Sequence, residues 1–140
     1  MKGIQCQLRR GWYWIMSKSR VLVVENEMPT VMMVVSLLTQ AGFSVEATTK
    51  GHKGLEIAWE RRFDLIILER GLPDLDGFKI CADLKQRHIS YRTPIVFLSS
   101  QPEEEYEARE LGAADFIKKP FGADDFISRI QSVLGETTSA

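Results

Sequence analysis

Three stretches of this chain are apolar at nearly every position: Val21-Leu22-Val23-Val24, Leu65-Ile66-Ile67-Leu68 and Ile95-Val96-Phe97-Leu98. A short run with no polar face fits a β-strand covered on both sides, and such strands belong to parallel sheets with helices on each face. The intervening segments have helical spacing. Pro29 suits the first turn of a helix running to about Ala41, and Gly42 stops it. Phe43, Val45 and Ala47 alternate with polar residues as a second strand. A helix over about Gly51–Arg61 is expected to bury Leu55, Ala58 and Trp59. The third strand, Asp64 to Leu68, leads to a loop at Gly71-Leu72-Pro73, and Phe78, Cys81 and Leu84 set the inner face of a third helix. After the fourth strand come Pro102, a polar helix ending near Gly112, and a short fifth strand, Ala114-Asp115-Phe116-Ile117. Phe126, Ile130 and Leu134 share one face of the last helix.

Five strands alternating with five helices predict an α/β fold with a doubly wound, five-stranded parallel sheet. Strands 2 and 5 are mixed or short and suit the edges. Right-handed crossovers then give the order 2-1-3-4-5, which is flavodoxin-like, and place ligand chemistry beyond the carboxyl ends of strands 1 and 3.

The 140 residues fit one domain. No apolar run approaches the roughly 18 residues of a membrane helix. Cys6 and Cys81 lack the spacing of a disulfide framework or metal site, so a cytoplasmic location and no membrane contact are expected. The net charge of −1 gives no reason to expect nucleic-acid binding. Residues 1–20 hold five bases and no acid, while the rest carries 13 bases against 19 acids. Residues 1–19 read as a basic-aromatic extension, expected to be disordered, with Met16 an alternative start. The folded domain is expected over 20–134 and a polar tail over 135–140.

The rim of the predicted switch point is acidic. Glu25-Asn26-Glu27 follow strand 1, Glu69-Arg70-Gly71 end strand 3, Ser99-Ser100 end strand 4, and Lys118-Lys119-Pro120 follow strand 5. A nucleotide or flavin site would need a glycine-rich turn after strand 1 to cradle phosphate, and Glu-Asn-Glu repels it. Solvated loops account for Glu27, Arg70 and Lys118. They account less well for Glu25, Asn26, Glu69, Ser99 and Lys119, which gather at separate strand ends.

Five blocks carry a resemblance: Val21 to Glu27, Asp64 to Glu69, Leu72-Pro73-Asp74-Leu75-Asp76-Gly77, Thr93 to Ser99, and Gly112 to Phe121. From about Arg20 to Leu134 the chain resembles the receiver domain of bacterial two-component response regulators. The resemblance implies an Asp at the end of strand 3 that takes a phosphoryl group from a histidine kinase. It also implies a Mg²⁺ ion held by that Asp, an acidic pair after strand 1 and a backbone carbonyl. A carboxylate attacking an anionic phosphoryl group needs neutralising charge, which the metal and a lysine supply. Carried over, the lysine is Lys119, followed by a proline whose preceding bond is cis in the family. The hydroxyl that swings inward is Ser99, the aromatic that follows it is Phe116, the carbonyl is that of Gly71, and the first acid is Glu25.

Two positions depart from the pattern. Asn26 replaces a metal-binding Asp, and Glu69 stands at the phospho-acceptor position. With Glu25 and Glu69 against Lys119 the expected site charge is −1, where the family's is −2. Two like charges about 4 Å apart repel by roughly 1 kcal/mol in water and about 4 kcal/mol at intermediate dielectric, so losing one carboxylate relieves repulsion. Binding of Mg²⁺ at Glu25, Asn26 and Gly71 is therefore expected to be weak or absent. Glu69 is longer than Asp by about 1.5 Å, which carries its carboxylate toward Lys119 and Ser99.

These residues predict a stand-alone, atypical receiver without enzymatic activity of its own, acting in two-component signalling through protein–protein contact. The partner would meet the face made by the fourth helix, fifth strand and fifth helix, near Tyr106, Phe121 and Lys118; a homodimer through that face stays open. A histidine kinase partner is not implied once the acceptor is substituted. Against the reading in which Glu69 pairs with Lys119 and imitates the phosphorylated state stand two alternatives: a receiver that accepts phosphate weakly at Glu69, and an acidic pocket kept as a structural remnant with no state preference. Asp74-Leu75-Asp76-Gly77 also resembles the aspartate motif of haloacid-dehalogenase-type phosphatases, but Glu69 to Pro73 intervene after the strand. Asp76 reads better as a helix N-cap. The run Glu103-Glu104-Glu105 is explained by the dipole of the helix it opens.

Overall fold

The computed structural model describes residues 18–138. Five parallel strands, β1 (Arg20–Val24), β2 (Ser44–Thr48), β3 (Leu65–Glu69), β4 (Ile95–Ser99) and β5 (Asp115–Lys118), form one sheet in the order β2-β1-β3-β4-β5. The helices are α1 (Met28–Gln40), α2 (Gly51–Glu60), α3 (Gly77–Lys85), α4 (Glu105–Glu110) and α5 (Ala123–Thr138), and a 3₁₀ turn at Pro102–Glu104 leads into α4. Period-two alternation sorts the strand side chains into two cores. Val21, Val23, Leu65, Ile67, Val96 and Leu98 meet Val34 and Leu38 of α1 and Phe126 and Ile130 of α5. Leu22, Val24, Ile66, Leu68 and Phe97 meet Ile57, Phe78, Cys81, Leu84 and Ala108 on the other face.

Asp76 caps α3 by accepting from the Phe78 amide at 2.8 Å, as expected. Gly42 and Gly112 have φ near +100°, where the chain turns back after α1 and α4. Three burial expectations are corrected. On α2, Ile57 is buried beside Leu55 and Ala58, while Trp59 is 41% exposed. Its indole N–H donates to Asp83 and Arg87 lies 4.1 Å from the ring centroid, so it covers the α2–α3 boundary from outside. On β2, Ala47 is exposed because the edge strand is covered only in part. On α5, Val133 is fully packed and Leu134 half-buried. That helix continues to Thr138, so the expected polar tail over 135–140 is helical up to 138. The expected N-terminal extension falls outside the described residues up to residue 17.

Candidate functional site

The carboxyl ends of β1, β3, β4 and β5 converge on one cleft of about 240 Å³, lined by Asn26, Glu27, Glu69, Ser99, Glu104 and Lys119 among others. Glu25 follows β1 directly and its side chain is wholly buried. One of its oxygens, Oε2, accepts from the Glu27 amide at 3.0 Å. Glu69 closes β3; its Oε2 accepts from the Gly71 amide at 2.8 Å and its Oε1 takes the Lys119 ammonium. Lys119 enters from β5, where its amide bonds the Ser99 carbonyl at 2.8 Å, and its bond to Pro120 is cis.

The Lys119 Nζ lies 2.9 Å from Glu27 Oε1 and 3.0 Å from Glu25 Oε1, as well as against Glu69. Glu27 thus supplies a third carboxylate that a solvated-loop reading of the sequence overlooked. The cluster carries a formal −2, not the expected −1. Burial pushes the Glu25 carboxyl above its ordinary range, against the opposing pull of the Glu27 amide and Lys119. Burial also lowers Lys119, but hydrogen bonds to Glu69, Glu27 and Glu25 outweigh it and raise the ammonium well above its usual value. Glu27 is lowered by its hydrogen bond to that ammonium.

The other expected residues are placed less simply. Asn26 lines the cleft and is half-buried. Gly71 approaches Glu69 through its amide. Phe116 is buried in the core beside Phe97. Ser99 is buried, but Glu69 does not meet it as the longer side chain suggested. Its hydroxyl donates instead to Glu104 Oε1 at 2.7 Å, and the other Glu104 oxygen accepts from Arg70 at 2.9 Å. Glu104 therefore belongs to the site, beyond its expected service to the dipole of α4.

The donor set suits a hard divalent cation. Carboxylate oxygens of Glu25, Glu27 and Glu69 lie within 4.8 Å of one another. Glu25 Oε1 is buried without a hydrogen-bond partner, although the Lys119 ammonium is near it. A buried anionic oxygen needs a counter-charge, which the Lys119 ammonium supplies at 3.0 Å and which a divalent cation would have to share or take over.

A family model for the response regulator receiver domain matches residues 21–131. The chain belongs to the response regulator receiver family. The receiver is 36% identical over 117 residues to the transcriptional activator protein IrlR of Burkholderia pseudomallei, covering 82% of this chain and 50% of that one. It is 34% identical over 121 residues to the transcriptional regulatory protein CreB of Escherichia coli, covering 85% and 52%. The chain spans about half the length of these curated relatives. Among solved structures, the chemotaxis response regulator CheY4 of Vibrio cholerae superposes with a TM-score of 0.78 at 30% identity, covering 83% of this receiver and 98% of that chain. Among the described residues, no helix is long and apolar enough to cross a membrane.

Proposed function

We propose that this receiver is an atypical, cytoplasmic signalling module that works through protein contact without receiving a phosphoryl group. The observation that carries the reading is the occupation of Lys119. The ammonium expected to hold phosphoryl oxygens is engaged by Glu69, Glu25 and Glu27. Glu69 supplies a permanent carboxylate where a receiver otherwise gains charge on phosphorylation, and Phe116 is already packed inward at 4% exposure. The folded unit runs from β1 to the end of α5 and presents α4, β5 and α5 to a protein partner. On that face Asp115 is gripped by Arg109 and Arg129 at 2.9 and 3.1 Å, and Tyr106 is 76% exposed.

Glu25, Glu27 and Glu69 would hold Mg²⁺, which when bound supplies charge neutralisation to the acidic cluster. Lys119 competes with it for the same oxygens, so binding is weak. Glu25 is held by the Glu27 amide, and Glu69 by that of Gly71.

Intact mass after incubation with acetyl phosphate and MgCl₂ tests the reading, with the native chain beside an Asn26→Asp/Glu69→Asp variant. The expected result is no gain on the native chain and one phosphoryl group on the variant. A phosphoryl group mapped to Glu69 in the native chain would overturn the proposal and return the domain to phosphoryl transfer from a histidine kinase.

A further inference from the structure

Ser99, Glu104 and Arg70 form a second polar chain beside the Lys119 cluster. The Ser99 hydroxyl donates to Glu104 and accepts from the Gln101 amide at 3.0 Å. Arg70 directly follows Glu69, bonds the far oxygen of Glu104, lies 3.2 Å from Asp76, and places its guanidinium 4.7 Å from the Phe78 ring centroid. Ser99 is 1% exposed and the Glu104 side chain 16%, so the Ser99–Glu104 bond is sheltered from solvent, while Arg70, 35% exposed, meets Glu104 from the rim and its pair is partly screened. The chain ties the loop after β3 and the end of β4 to the turn that opens α4.

The far end of α4 is tied to β5 by the Arg109–Asp115 pair at 2.9 Å, and Leu111 and Ala113 just beyond it pack on the core. Apart from the Ser99–Glu104–Arg70 chain, the turn at its start has no such anchor among the described residues. Helix α4 has six residues, and only Ala108 among them is buried. A short element with so little apolar anchoring is placed largely by its polar contacts. We propose that Arg70 and Glu104 are positioning residues that latch the Ser99 hydroxyl to the start of α4, fixing that helix independently of the Glu69–Lys119 pair. The inference rests on the interaction-module reading for its consequence, because α4 belongs to the face offered to a partner. Two carboxylates then divide the work a phosphoryl group would do: Glu69 engages Lys119, and Glu104 engages Ser99.

Amide hydrogen exchange on the full chain tests the latch. Arg70→Ala and Glu104→Ala should each speed exchange at the Ala108 to Ala113 amides by roughly 5-fold or more, with the double variant no faster than the faster single. Glu104→Gln keeps an acceptor for Ser99 and should restore the native amide resonances of Ser99 and Gln101, which a general loss of packing would not allow. Glu69→Gln should leave α4 exchange unchanged. Unchanged exchange in either alanine variant, effects that multiply in the double, or an equal response to Glu69→Gln would each overturn the latch. Ser99→Ala, which removes one hydroxyl, gives the same reading should a charge variant unfold. No phosphodonor is involved, so phosphoryl uptake at Glu69 would remove the function reading and leave the latch standing.

Discussion

Within the Lys119 cluster the carboxylates pull stability in opposite directions with pH. Burial raises Glu25 above its ordinary value of 4.5, so the folded state holds its proton more tightly than the unfolded chain. Its contribution is present below that value and is lost as pH rises through the raised one. Glu27 is lowered by Lys119, so its contribution is present above 4.5 and lost as pH falls through the depressed value. Lys119 is raised, so its contribution holds at neutral pH and disappears only above its ordinary value of 10.5, as pH passes the raised one. Glu25→Gln should therefore stabilise the metal-free domain at pH 7 by about 1 kcal/mol, the scale of one unsatisfied buried polar group. The gain should vanish below pH 4. Urea unfolding in EDTA at both pH values checks this, and a loss of stability at pH 7 would show that the Lys119 contact outweighs burial.

Between elements, Gly77, the first residue of α3, packs its backbone directly against the end of β3. Its amide donates to the Arg70 carbonyl at 2.8 Å, and a Cβ there would lie 2.7 Å from Arg70 Cα and collide with the Glu69 carbonyl. Backbone atoms cannot step aside as a side-chain end can. Gly77→Ala should cost about 2–3 kcal/mol, the upper range for overpacking, with displaced amide resonances at Glu69 and Gly71. Denaturant midpoints and an NMR spectrum measure both. At this scale the strands were largely legible, because Val21–Val24 and Leu65–Leu68 have no polar face and admit one kind of place in a sheet. Trp59 was not. Helical spacing puts it near the buried stripe, but its N–H finds Asp83 and its ring takes Arg87, so it stays outside while Ile57 turns inward. An amphipathic ring at the rim of a helix is decided by partners on another helix.

Across the whole molecule, the site is a charge balance assembled from four strand ends, and only part of that balance is local in sequence. Glu25, Glu69 and Lys119 could be placed together from the strand order. Glu27 and Glu104 could not, because their reach depends on where α1 begins and on a 3₁₀ turn ahead of α4. With Glu27 counted, the cluster is one charge more acidic than the motif alone implied, and that excess sets what a bound cation would neutralise. A cation that binds only the folded state stabilises it in proportion to the logarithm of its concentration over its Kd. MgCl₂ at 10 mM should raise the native melting temperature only slightly, because Lys119 already occupies the shared oxygens. Lys119→Met removes that competitor and leaves three carboxylates facing one another. It should destabilise the metal-free domain at pH 7 yet bind Mg²⁺ roughly tenfold more tightly, since one unit charge about 4 Å away is worth about 4 kcal/mol at an intermediate dielectric, before solvent discounts it. The expected outcome is a melting curve that falls in EDTA and recovers with MgCl₂, with KCl of equal ionic strength doing neither. Recovery with KCl as complete as with MgCl₂ would mean that the carboxylates respond to screening and form no cation site.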